Sequence, residues 1–276
     1  MTAEAPDGKR QPFARWSSAL AGLATVLIAG AAPAAEVRVM VSAGFYQAYS
    51  ELGPAFERST GHRLVTTRGP SLGDSPEAIP NRLKRGEPAD LVIAVGTSID
   101  DLGRQGLVRP GSKIDLARSQ IGMVVRAGAG IPDIGTADAF RHALLSAKSI
   151  AYSDSASGIY LSTTLFAKLG VADQLAGKTQ EVRGPPSGEP VAAVVARGEA
   201  EIGFQQVSEL LHVPGVSFVG VIPAALQPDT FFSAALGPAA RQTEAAEALL
   251  RFLASPEAAP VIAKAGLLPL SGAERP

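Results

Sequence analysis

Tyr152-Ser153-Asp154-Ser155-Ala156-Ser157-Gly158-Ile159-Tyr160 decides how this chain is read. An apolar, strand-like run from Ser149 to Ser153 stops at its start, and a helix-like run from Ile159 to Leu169 begins at its end. Between them, beside Asp154, lie small and hydroxyl-bearing residues. A helix N-terminus leaves its first N–H groups unpaired and carries partial positive charge. Small residues let a ligand approach those groups. The stretch therefore reads either as a seat for an oxyanion or carboxylate, or as an ordinary serine N-cap after a turn. The rest of the chain has to decide between them.

Working outward, strand and helix patterns alternate repeatedly. Glu36 to Val41 predicts a strand, followed by Ser42-Ala43-Gly44 and a helix to Thr60. Phe45, Tyr49, Leu52 and Phe56 share one face of that helix, and Gly61 ends it. After a strand at His62 to Thr67 comes a loop from Arg68 to Pro76, in which Ser75 and Pro76 read as N-cap and first residue of a helix reaching Arg85. Leu91 to Val95 is apolar throughout, as expected of a strand buried on both faces. The alternation continues to two closing helices, Thr243 to Leu253 and Pro256 to Lys264. This pattern predicts an α/β fold, its sheets mainly parallel and covered by helices on both faces.

Composition narrows the function. The 25 basic and 26 acidic residues are interspersed, so no nucleic-acid surface is expected. There is no cysteine, so no disulfide and no thiol nucleophile. The three histidines, His62, His142 and His212, lack metal-ligand spacing, and no phosphate-binding G-x-x-x-x-G-K-[ST] loop occurs. No cofactor and no metal is expected. The first residues carry Lys9, Arg10 and Arg15, then an apolar core from Leu20 to Gly30, then small residues at Ala32-Pro33-Ala34. This is the pattern of a secretory signal peptide over residues 1–35, whose removal leaves about 240 residues in the periplasm.

Three junctions share one feature. Ser42-Ala43-Gly44, Ser157-Gly158 and Ser187-Gly188 each place serine and glycine before a predicted helix. Open α/β sheets bind ligands at the carboxyl ends of their strands, so three such junctions can supply converging donors for a small anion. The plainer reading is that serine and glycine are common in turns. For acid–base chemistry the candidates are Asp154, Glu189 and Tyr160, each of which also has an ordinary capping, helix-charge or packing role.

Four segments carry a family resemblance. Lys84-Arg85-Gly86-Glu87-Pro88-Ala89-Asp90-Leu91-Val92-Ile93, Ser157-Gly158-Ile159-Tyr160, Arg197-Gly198-Glu199-Ala200-Glu201-Ile202-Gly203 and Phe252-Leu253-Ala254-Ser255-Pro256-Glu257-Ala258-Ala259 keep the order and spacing of periplasmic molybdate-binding-like proteins of ABC transporters. The resemblance implies a type II periplasmic binding fold, with two lobes joined by two crossings and the ligand between them. Lobe 1 would comprise 36–118 and 232–276, and lobe 2 would comprise 119–231. It further implies a small anionic ligand, a membrane permease as partner, and a monomer. The ligand positions it implies are Gly44 beside Ser42, the loop from Ser71 to Ser75, Ser157 with the Gly158 N–H, Gly188 and Gln206. Gly44 stands where the family usually has serine, Gln206 where it has tyrosine, and the second loop is longer and adds Arg68. These departures suggest volume opened at Gly44 and a ligand larger than molybdate, bearing carboxylates. Relatives of this appearance include aconitate isomerase-like periplasmic proteins, which implies an enzyme as the alternative function.

Overall fold

The computed structural model describes residues 1–3 and 34–270. The predicted signal peptide lies almost wholly outside the described residues. Among those described, no helix is long and apolar enough to cross a membrane.

The chain builds two sheets. The first takes β1 (Glu36–Ser42), β2 (Arg63–Gly69), β3 (Leu91–Val95), β4 (Ile114–Ser119), β10 (Thr230–Leu236) and β11 (Leu268–Pro269) in the order β11-β4-β10-β3-β1-β2. The second takes β5 (Ile121–Arg126), β6 (Ile150–Ser153), β7 (Thr179–Val182), β8 (Ile202–Gln206) and β9 (Val216–Val221) in the order β7-β6-β8-β5-β9. Each has a parallel core, β2-β1-β3 and β7-β6-β8. Antiparallel strands flank each core where the chain leaves one sheet and returns from the other. One crossing is the single residue Gln120 between β4 and β5; the other runs from β9 to β10.

Alternation along the strands sets the faces. Val37, Val39 and Val41 of β1 pack with α1 (Ala43–Thr60), while Met40 joins the opposite core with α2 (Ile79–Lys84) and α3 (Gly96–Arg104). All five residues of β3 are buried, so that strand is apolar throughout for the reason its sequence implies. In the second sheet, α4 (Ala137–Ser146), α5 (Ala156–Tyr160), α6 (Phe166–Lys168) and α7 (Ala172–Leu175) cover one face. The short helices α8 (Val191–Ala196) and α9 (Val207–Leu210) cover the other. The closing helices are α10 (Thr243–Leu253) and α11 (Ala259–Lys264), packed on the first sheet. This is the two-lobe architecture, helices on both faces of each sheet, with a cleft between lobes.

Three local expectations fall differently. The helix after β6 begins at Ala156, three residues before Ile159, and passes through a π-turn at Leu161–Leu165. Ser155 is its extended N-cap, so Ser157 and Gly158 lie inside its first turn. A Cβ on Gly158 would fall 1.7 Å from the Ser153 carbonyl oxygen. Glycine there lets the helix lie against the end of its own strand. Ser75 does not cap a helix: its carbonyl accepts the Ala78 N–H, and α2 starts only at Ile79 with Pro80 in its first turn. The helix predicted directly after Ser187-Gly188 begins only at Val191, after Pro190. Asp90 of the resembling segment is a buried staple, accepting the N–H groups of Arg38 and Arg241 at 2.8 Å each.

Candidate functional site

The carboxyl ends of β1, β3, β6 and β8 meet between the lobes around one small cavity. Its lining includes Ser42, Ser71, Val95, Ser153, Ser157, Gln206 and Phe232. The 18-residue α1 begins there after Ser42, α3 after Val95, and α5 after Ser155. Three helix N-termini therefore surround one point, which favours negative charge.

The serines are paired from below. Ser71 Oγ donates to Ser42 Oγ at 2.7 Å and accepts the Val95 N–H at 3.0 Å, while Ser98 Oγ donates to the Ser71 carbonyl. Three strand ends are thus tied by one buried hydroxyl. Across the cavity, Ser153 and Ser157 hydroxyls lie 3.1 Å apart. Gln206 Oε1 accepts from Ser119 Oγ at 2.6 Å, on the first crossing. The amide NH2 of Gln206 has no protein partner.

The lobes are closed. The Ser208 hydroxyl donates to the Gly44 carbonyl at 2.6 Å, and Arg183 pairs with Glu77 at 2.6 Å, each bond spanning the cleft. The Ser75 hydroxyl and Arg183 hold the Glu77 carboxyl down at about 2. With the cleft shut, the cavity is only about 10 Å³, room for roughly one water. An alcove of about 230 Å³ adjoins it, sharing Ala43, Pro185 and Glu209 in its lining and adding Tyr46, Arg68 and His212.

Arg68 and Glu209 give this alcove its charge. The Arg68 guanidinium lies 3.8 Å over the Tyr46 ring and makes no ion pair; its Nε is buried without a hydrogen-bond partner. Glu209 accepts from Gln205 Nε2 at 2.7 Å, and Gln205 Oε1 in turn accepts the Val191 N–H. Burial pushes the Glu209 carboxyl up to about 7; the Gln205 bond and Arg68 oppose the rise, and Asp154 adds to it. A larger groove of about 700 Å³ lies elsewhere on the second lobe, but Asp133, Asp138 and Glu201 line it and suit no anion. Among the described residues no cluster of His, Cys, Asp and Glu is arranged to hold a metal.

Of the eight residues expected at the site, Ser42, Ser71, Ser157 and Gln206 line the cavity, and Gly44, Ser75, Gly158 and Gly188 do not. Gly44 opens no volume: a Cβ there would lie 2.3 Å from Phe232 Cζ, so the buried ring of Phe232 already fills that space. Ser75 holds Glu77 instead. The Gly188 N–H is spent on the Gly184 carbonyl within its own loop. Asp154 accepts the Gly184 N–H, Glu189 is paired with Arg197 at the surface, and the Tyr160 hydroxyl donates to the Leu226 carbonyl. Glu189 and Tyr160 lie outside the cavity lining, and Asp154 lines it with one carboxylate oxygen bonded. Glu209 is the group sequence reading passed over. Its signal was present: Gln205-Gln206-Val207-Ser208-Glu209 is a fourth strand-to-helix junction, with Gln205 and Glu209 four residues apart.

Comparison with known proteins places this geometry in context. An aconitate isomerase from a Pseudomonas species is 46% identical over 248 residues, 90% of this chain and 93% of that protein. A molybdate-binding protein of Azotobacter vinelandii is 28% identical over 254 residues, 89% of this chain and 95% of that protein. The solved periplasmic molybdate-binding protein of Azotobacter vinelandii superposes with a TM-score of 0.68 at 21% identity, covering 85% of this chain and 100% of that one. The family model described as bacterial extracellular solute-binding protein matches residues 37–268. The chain belongs to the bacterial extracellular solute-binding protein family.

Proposed function

We propose that this protein captures a small anion bearing several carboxylates between its lobes and presents it to an ABC-type permease. The observation that carries this reading is the convergence on one cavity of neutral donors from both lobes, with the unpaired Arg68 in the alcove beside it. Neutral donors and helix N-termini suit an oxyanion or a carboxylate. A guanidinium with no carboxylate of its own favours the carboxylate, which it can bind through two parallel hydrogen bonds. We assign Ser42, Ser157, Gln206 and Arg68 as ligand-binding residues, with Ser71, whose hydroxyl proton goes to Ser42, holding Ser42 in place. Residues 36–119 with 230–270 make the first lobe and 121–229 the second, internal bounds one or two residues from those the resemblance implied, because β4 runs to Ser119 and β10 begins at Thr230. The protein acts as a monomer in the periplasm after loss of residues 1–35. N-terminal sequencing of the exported protein tests that last step, and an intact Met1 would contradict it.

A thermal-shift screen of cis- and trans-aconitate, citrate, sulfate and molybdate tests the ligand class. A ligand at 100 times its Kd stabilises the native state by about 2.7 kcal/mol. For a protein of this size that raises Tm by roughly 5–10 °C. The tricarboxylates are expected to do so; a shift with molybdate alone would make the protein a molybdate binder.

A second reading is favoured by two observations: the relative at 46% identity is an aconitate isomerase, and Glu209 places an ionisable carboxyl at the mouth of the cavity. In that reading the same cleft interconverts the aconitate isomers. Proton NMR of trans-aconitate incubated with the protein separates the two readings, because a pure binder leaves the isomer unchanged.

A further inference from the structure

We infer that Glu209 is the group that carries the proton in an allylic isomerisation of a tricarboxylate bound in the cleft. This rests on the isomerase reading above and assigns that reading its acid–base residue.

Geometry comes first. Among the described residues, Glu209 is the only carboxylate-bearing one that lines both the closed cavity and the Arg68 alcove. One of its oxygens is fixed by Gln205, and Gln205 is fixed by the Val191 N–H, so the carboxyl is oriented by a chain of neutral groups. Its other oxygen has no protein partner and no cation is bonded to it. The charged and titratable groups facing it come from four directions: Arg68 at the end of β2, Asp154 after β6, Tyr46 on α1 and His212 after α9. Asp154 accepts the Gly184 N–H with one oxygen and does not line the alcove that holds Arg68. Arg68 acts on Glu209 through space without a bond to it, which leaves the guanidinium able to hold a substrate carboxylate.

The chemistry balances without a co-reactant. Aconitate is propene-1,2,3-tricarboxylate, with one CH2 and one vinylic CH on either side of the central carbon. Ionised Glu209 takes a proton from the CH2 carbon. The electron pair of that C–H bond spreads over the three-carbon system and onto the attached carboxylates. Protonated Glu209 then returns its proton to the former vinylic carbon, the double bond having moved one position. One C–H bond breaks, one forms, and the new double bond adopts either geometry. Charge develops on the carboxylates, where Arg68 and the helix N-termini of the site stabilise it. A carboxyl raised to about 7 is matched to taking and returning protons near neutral pH.

The test uses the full mature chain with trans-aconitate in D2O. Proton NMR follows interconversion and the loss of carbon-bound hydrogen, and calorimetry follows Kd. Glu209→Gln is expected to slow both NMR readouts by about 10²–10⁴-fold, the usual worth of a general acid–base group, with Kd changed less than about 10-fold. Glu209→Asp is expected to retain part of the rate. The wild-type rate is expected to rise with pH through the Glu209 titration, which a structural role would not produce. Wild-type rates in Glu209→Gln, or no such pH dependence, would overturn the inference. Wild type that binds trans-aconitate without interconverting the isomers would overturn it and leave the capture reading standing. Wild type that binds no tricarboxylate would overturn both.

Discussion

Replacing Gly44 by alanine puts a methyl group into space held by the ring of Phe232. The added Cβ would lie 2.3, 2.9 and 3.2 Å from three ring carbons. Carbon atoms prefer roughly 3.5–4.0 Å, so the ring must withdraw by about 1 Å. It has no room to do so freely: Phe232 is fully buried, and Phe45 packs against it at 6.2 Å between centroids. Overpacking of this kind costs about 1–3 kcal/mol. Alanine gains at most about 1 kcal/mol over glycine as a helix residue, so the net effect is destabilising. Phe232→Ala alone should cost about 3–5 kcal/mol through the cavity it leaves. In that background the Gly44→Ala methyl fits. The double variant should therefore be about 1–3 kcal/mol more stable than the sum of the single effects. Urea unfolding of the four proteins measures this directly. Strict additivity, or Gly44→Ala at wild-type stability, would refute the claim that Phe232 occupies the space glycine leaves. The pair also bears on selectivity, because Phe232 lines the cavity and its truncation should admit larger anions.

Ser71→Ala removes the hydroxyl that joins Ser42 to the Val95 N–H and leaves both buried groups short of a partner, a loss of about 2 kcal/mol by denaturant unfolding. Arg183→Ala breaks the exposed tie to Glu77 and should shift the ligand-free protein toward open lobes, seen as a larger radius of gyration in small-angle scattering; an unchanged profile would show that the tie does not hold the lobes. The Ser75 hydroxyl and then Arg183 hold the Glu77 carboxyl down at about 2, so the stabilisation they give together is present above the ordinary carboxyl pKa and is lost as pH falls toward 2. Glu209 has the opposite sign. Its folded pKa is raised, so the native state binds more protons and wild-type stability should fall as pH rises from about 4.5 to about 7; Glu209→Gln should flatten that slope in pH-dependent melting curves.

Much of the framework is legible in the sequence because its causes are local. Leu91–Val95 is apolar because both faces of the strand are covered, and Gly61 and Gly106 end their helices in left-handed turns that favour glycine. The cavity lining was legible at Ser42 and Gln206, which end β1 and β8, and at Ser71 and Ser157 just beyond β2 and β6. Elsewhere tertiary contacts decide. Ser157 and Gly158 look like loop residues, yet Gly158 is demanded by the Ser153 carbonyl it packs against, and the helix starts earlier as a result. The role of Gly44 depends on Phe232, which arrives from the far end of the chain. Glu209 is half-buried only because the lobes meet over a helix four residues long, and a helix that short carries no periodicity to read.

A crystal structure of the protein with trans-aconitate bound tests the central claim most directly. The account predicts the ligand between the lobes, its carboxylates on the donors of Ser42, Ser157 and Gln206 with one arm on Arg68. A ligand held in the acidic groove beside α4, or a tetrahedral oxyanion filling the cleft while trans-aconitate stays out of it, would contradict the account.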